Sequence, residues 1–219
     1  MPRTHCIRCG ECCLRSSPTL QKADIRLIRD KRIWTRDLYT IRVGELVRDN
    51  INNQLKISES ERIKIREKDA GKGCIHYTDE DKACRIYEHR PIQCSALACW
   101  DEREFMQAYN APKLSRNELI GDGILLGLIQ EHEKKCSYSA LERLVGEIEV
   151  NGEKAVDKII ELLKFDHHLR PFVSEKTGLD PSEMDFVFGR PITETITMFG
   201  LQVIRERDGS FFLTAHRAS

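Results

Sequence analysis

The chain carries no net charge, because 35 basic and 35 acidic residues cancel over 219 positions. No overall field draws it to nucleic acid or to an anionic membrane, although a local basic patch is compatible with that balance. Long apolar runs are missing too. The longest near the middle, Ile124 to Ile129, is far too short to span a bilayer, and the opening Met-Pro-Arg-Thr-His lacks the apolar core of a signal peptide. A soluble cytoplasmic protein is expected. There is no long-period repeat, no low-complexity segment, no Walker-type loop and no Ser-His-Asp grouping, so nucleotide use and triad hydrolysis have no support.

What the chain does have is sulfur. Eight of its nine cysteines fall in two groups, Cys6, Cys9, Cys12 and Cys13, then Cys74, Cys84, Cys94 and Cys99, while Cys136 stands apart. Thiolates are soft ligands for zinc, iron–sulfur clusters or cuprous copper, and a two-residue gap lets cysteines on one tight turn reach the same metal. Cys6, Cys9 and Cys12 repeat that gap twice. In a bacterial ferredoxin run a fourth cysteine and a proline would follow, whereas Ser16 stands at the cysteine position and a proline comes only at Pro18. A fourth ligand must then arrive from the second group. Cys12 and Cys13 are adjacent, so their side chains are expected to leave the backbone in different directions. Two four-cysteine sites, one cluster with spare thiols, or a mixed site with His5, His76 or His89 all remain open. A disulfide framework fits poorly with an odd cysteine count and no export signal. Core packing suits Cys136 but not four cysteines within eight residues.

The chemistry sits on a mixed α+β plan. Residues 1–112 are expected to form a small cysteine-rich metal-binding domain with short antiparallel strands, and 113–219 a mainly helical region ending in a β-hairpin. Ala23 to Asp30 reads as a helix. Tyr39, Ile41 and Val43 alternate, as do Leu55 with Ile57 and Ile63 with Ile65, which predicts half-exposed strands separated by Asp49-Asn50 and Asn52-Asn53 turns. A loop from Asp69 to Gly73 leads into a short strand, Cys74 to Tyr77. Pro91 keeps Arg90 out of the helical region and can begin a helical turn that delivers Cys94. Helices are predicted over Asp101 to Tyr109 and Asn117 to Lys135, the latter apolar around most of its girth and so the expected central pillar. Ser139 to Glu142 reads as a capping box. Asn151-Gly152 divides two amphipathic helices, Gly178 ends the second, and Asp180-Pro181-Ser182-Glu183 starts another. Asp208-Gly209 marks the terminal hairpin.

The cysteine motifs resemble those of the YkgJ-like cysteine cluster family, the zinc- or iron-chelating C-x2-C-x2-C-C domain. Cys6-x2-Cys9-Gly10-x-Cys12-Cys13 matches its opening and Cys84-x-Ile86-Tyr87-Glu88-x-Arg90-Pro91-x-x-Cys94 its later motif, with Cys74 upstream of the second. The resemblance covers roughly residues 5 to 100. It implies a cytoplasmic metal-binding protein with Cys6, Cys9, Cys12, Cys13, Cys74, Cys84, Cys94 and Cys99 as ligands. Family members carry Cys-Arg-x-Phe-Pro-Cys where this chain has Cys94-Ser-Ala-Leu-Ala-Cys99, which preserves the cysteine spacing but lacks the arginine. A similar cluster occurs in the flagellin lysine-N-methylase, which implies a protein-modifying enzyme, although no glycine-rich cofactor loop accompanies it here.

Arg90 and Tyr87 are candidate neighbours of a bound cofactor. The guanidinium can offset thiolate charge, against the plainer reading of a surface pair with Glu88, and Tyr87 and Trp100 can shield a cluster or simply pack. His132 and Cys136 share a helix face at metal-binding spacing, yet a structural histidine near a helix end explains them adequately. His167-His168 and the acids Glu131 and Glu133 read as solvated. The leading expectation is a cysteine-ligated iron–sulfur cluster of the 4Fe-4S type, since the chain holds more thiols than the four that one structural zinc needs, in a redox, electron-transfer or sensing role. The alternative is a zinc-stabilised interaction module. The partners expected are the metal and a protein redox or substrate partner, with no nucleic acid and no membrane.

Overall fold

Polar turns and glycines cut the first half of the sequence into pieces too short for long elements. The computed structural model describes residues 5–49, 51–68 and 73–216, and the expected turn residue Asn50 and loop residues 69–72 lie outside them. The fold is mixed α+β, with short two-stranded sheets early, helices in the middle and a hairpin at the end. The strands are β1 (Leu38–Ile41), β2 (Leu46–Asp49), β3 (Gln54–Ile57), β4 (Arg62–Ile65), β5 (Tyr77–Thr78), β6 (Ala83–Cys84), β7 (Leu201–Arg205) and β8 (Phe211–Ala215). They pair two by two, β1 with β4, β2 with β3, β5 with β6 and β7 with β8.

The chain divides into two units, Met1–Thr40 with Arg62–Gly121 and Ile41–Glu61 with Asp122–Ser219. The first holds α1 (Glu11–Arg15), α2 (Ile25–Arg29), α3 (Ile92–Ala96), α4 (Arg103–Asn110) and α5 (Arg116–Leu119). Its core is Leu20, Ile33, Leu38, Ile63, Ile65 and Leu114, all fully buried. Backbone bonds tie these segments, with Leu20 N donating to Ile63 O at 2.8 Å and Leu114 N to Leu20 O at 3.1 Å. All four residues of β1 are buried, so the half-exposed alternation read from the sequence does not hold there. The strand is covered on both faces.

The second unit holds α6 (Gly123–Lys135), α7 (Tyr138–Gly146), α8 (Ile148–Asn151), α9 (Glu153–Thr177), α10 (Met184–Phe188) and α11 (Ile192–Thr195). Its apolar cluster joins Cys136, Leu141, Ile159, Leu163, Ile192, Ile196 and Phe211. The pillar is therefore α9. The expected Asn117–Lys135 helix is broken, because the Asp122 carboxylate accepts from Ile124 N at 2.8 Å and Leu125 N at 3.3 Å and starts a new helix there. Ile124 is consequently 78% exposed. Likewise the cap of α7 is Ser137, which accepts from Ala140 N, and Ser139 lies inside the helix. The Asp180 to Glu183 capping box and the terminal hairpin form as predicted.

Candidate metal centre

The first cysteine turn is shaped by backbone that few residues tolerate. Arg8 (φ 58°) and Gly10 (φ 79°) are both left-handed, and the Arg8 N–H points at Cys6 Sγ, 3.4 Å away. A Cβ at Gly10 would lie 2.6 Å from the Tyr77 ring, so glycine is what lets the turn rest on that aromatic face. Helix α1 then starts at Glu11 and carries Cys12 and Cys13, whose sulfurs are 3.9 Å apart. The expectation that adjacent cysteines diverge is overturned here. Consecutive helical residues are only about 100° apart around the axis, and that allows both sulfurs to reach one place.

The second group is brought in by another close approach. Gly73 (φ 90°) abuts α1 so tightly that a Cβ would sit 2.6 Å from Cys13 O and 2.9 Å from Leu14 Cα. Cys74 N then donates to Cys13 O at 2.7 Å. Three residues on, Tyr77 in β5 pairs with Cys84 in β6, so the ring that supports the first turn also faces a ligand candidate. Pro91 leaves Arg90 extended (φ −63°, ψ 141°) and α3 begins at Ile92, which places Cys94 in that helix while Cys99 lies beyond it.

Five sulfurs sense one another in this arrangement. Cys13 is hydrogen-bonded to both Cys12 and Cys84, and those bonds raise its own pKa steeply while lowering Cys12 to about 6 and Cys84 to about 7. Burial raises Cys74 to about 11 and pushes Cys94 up as well, with the charges of Cys74, Cys12 and Cys84 adding to the shift at Cys94. Cys6, Cys9 and Cys99 are exposed. A geometric device recurs: the backbone N–H two residues on is directed at the sulfur of Cys6 by Arg8, of Cys74 by His76 and of Cys84 by Ile86. At Cys74 and Cys84 these donors pull the pKa down against burial.

The donor set fits a thiophilic metal, since protons now shared between sulfurs are what a cation displaces. Among the described residues no group of three or more His, Cys, Asp or Glu side chains already has the disposition of a metal shell. Residues 5–111 match a family model described as "CxxCxxCC: Putative zinc- or iron-chelating domain". This stretch is a CxxCxxCC domain. No curated protein and no solved structure matches the chain.

Around the cysteines of the CxxCxxCC domain, Arg90 stacks on Tyr87 with its guanidinium 3.8 Å from the ring centroid, and its Nε donates to Tyr87 O at 2.8 Å. Arg8 stacks on the same ring at 4.0 Å and reaches Glu88 at 4.0 Å, so Glu88 faces Arg8 in the role the sequence offered to Arg90. The Arg90 charge lowers the pKa of Cys12, Cys84 and Cys94. His5 and His89 are exposed. His76 is buried, with Nε2 3.9 Å from an Asp37 carboxylate oxygen.

The ninth cysteine lies in the second unit, outside the CxxCxxCC domain. Cys136 is 1% exposed in the apolar cluster and burial raises it to about 12. His132 turns instead to Asp166, with Nε2 2.8 Å from Oδ1, and Asp166 also accepts from Arg170 and from Ile192 N at 3.0 Å. Glu133, expected on a solvated face, pairs at 3.1 Å with the fully buried Arg42. Sequence reasoning missed Asp166 and Arg42, because a lone acid or base on an amphipathic stretch carries no local sign of a buried partner.

Proposed function

We propose that the CxxCxxCC domain holds iron in a cysteine-ligated cluster of the 4Fe-4S type, and that the protein serves redox chemistry, electron transfer or sensing in the reducing cytoplasm. The observation that carries this reading is the shared neighbourhood of Cys12, Cys13, Cys74, Cys84 and Cys94. That set is made of thiols alone and suffices for the four cysteines that a 4Fe-4S cluster takes, and Cys6, Cys9 and Cys99 add three exposed thiols. A bound cluster would supply reversible electron transfer at a potential set by hydrogen bonds to sulfur and by nearby charge. The backbone donors at Cys6, Cys74 and Cys84 and the Arg90 guanidinium are in place for both. Tyr87, stacked against both Arg8 and Arg90, holds those two guanidinium groups beside the cysteine motif. The counterpart is a protein redox or substrate partner.

Zinc is the second reading, favoured by the two- to four-residue strands of the first unit, where a metal cross-link would replace core. Anaerobic purification separates the two. Iron with acid-labile sulfide and broad visible absorption is expected, and a colourless protein with stoichiometric zinc would reject the cluster. Serine at Cys94 should lose the metal and serine at Cys136 should keep it.

A further inference from the structure

Helix α3 presents Cys94 but has no cap of its own. It starts after Pro91, whose side chain cannot accept a hydrogen bond, and its first N–H groups would be unsatisfied. The missing acceptor comes from 68 residues earlier. Asp24, 2% exposed, accepts from Ile92 N through Oδ1 at 2.9 Å and from Gln21 N through Oδ2 at 2.8 Å. One carboxylate thus clamps the start of α3 to the turn at Gln21. Gln93, also buried, adds a strut from the other direction, its Oε1 accepting from Thr19 N at 2.7 Å. Both ties fall on the two residues immediately before Cys94.

We infer that Asp24 is the positioning residue for Cys94, holding the α3 turn so that this thiol stands with the sulfurs of Cys12, Cys74 and Cys84. The inference rests on the metal-site reading in so far as Cys94 is a ligand, but the positioning itself is a property of the metal-free chain. Asp24 touches no sulfur and acts through the Ile92 backbone. Neither cysteine motif contains it, so the constraint comes wholly from tertiary structure.

The test is site-resolved alkylation of the full-length, metal-stripped protein by iodoacetamide, read by mass spectrometry for each cysteine. Asp24→Ala removes both acceptor oxygens; Asp24→Asn keeps the shape but sets an NH2 against one of the two N–H donors, and it carries the test if the alanine variant does not fold. Losing two hydrogen bonds to a buried acceptor should raise Cys94 labelling about tenfold, with asparagine intermediate, while Cys74 and Cys136 stay at their native rates. A matching loss of metal affinity on reconstitution is expected. Unchanged Cys94 labelling in Asp24→Asn overturns the inference, as does an equal rise at Cys74 and Cys94, which would mean general loosening. If Cys94→Ser still loads metal fully, the ligand reading fails separately, and the alkylation pattern continues to judge Asp24.

Discussion

Replacing Gly73 with alanine should damage the metal site through geometry alone. The added methyl meets Cys13 O at 2.6 Å and Leu14 Cα at 2.9 Å, both of them backbone, which cannot rotate aside. At φ 90° an alanine also pays for the left-handed region, about 1–2 kcal/mol. Relieving the clash means separating Gly73 from α1, which breaks the Cys74 N–H to Cys13 O bond, worth about another 1 kcal/mol. The combined loss is about 2–3 kcal/mol. Gly121 supplies the baseline in the same unit, because a Cβ there meets nothing within 4 Å, and Gly121→Ala should stay within about 0.5 kcal/mol of wild type. Both tryptophans, Trp34 and Trp100, belong to the first unit, so urea unfolding followed by their fluorescence reports on it. Reconstituted Gly73→Ala should also bind less metal. If it unfolds with Gly121→Ala and loads metal normally, the close approach of the Gly73 segment to α1 is not what assembles the site.

The second unit should weaken in mild acid. Burial, with the charge of Arg42 assisting, lowers the His132 pKa despite the Asp166 hydrogen bond and the Glu133 charge, so the unfolded chain takes up a proton that the fold resists. That stability is present above about pH 6.5 and is lost as pH falls toward the folded value, with a slope of at most about 1.4 kcal/mol per pH unit. Far-UV dichroism of urea unfolding between pH 7.5 and 5.5 should show this slope, and His132→Gln should flatten it; an unchanged slope contradicts the assignment. Asp166 acts lower on the scale. Its burial alone would raise its pKa, but the His132 hydrogen bond and the Arg170 charge hold it well below the usual carboxylate range. Its contribution therefore persists above about pH 4 and disappears on further acidification, and the acid limb of the same titration should shift in Asp166→Asn. Leu163→Ala, at a fully buried position of the α9 cluster, should cost about 2–5 kcal/mol in that assay.

Local rules made much of the molecule legible. Pro91 fixed where α3 begins, Asp180 and Glu183 built their box, and Asp208-Gly209 turned the final strands, because each works through its immediate neighbours. The break at Asp122 was missed since the apolar count over Asn117–Lys135 outweighed two glycines flanking a capping acid. The cysteine groups stood out by spacing, but their meeting depends on Gly73 against α1 and on Asp24 beneath Ile92, contacts across long stretches of chain. No periodicity records such contacts. The 3.9 Å Cys12 to Cys13 contact was hidden for a related reason, as it depends on side-chain rotamers.

The account turns on whether Cys12, Cys13, Cys74, Cys84 and Cys94 close on one metal. Cysteine-by-cysteine alkylation of the anaerobically isolated protein, before and after chelation, tests that most directly. Protection of at least four of these thiols that vanishes with the metal is the expected result, with Cys136 unreactive in both states. A metal-replete protein in which the five label as fast as after chelation would contradict it.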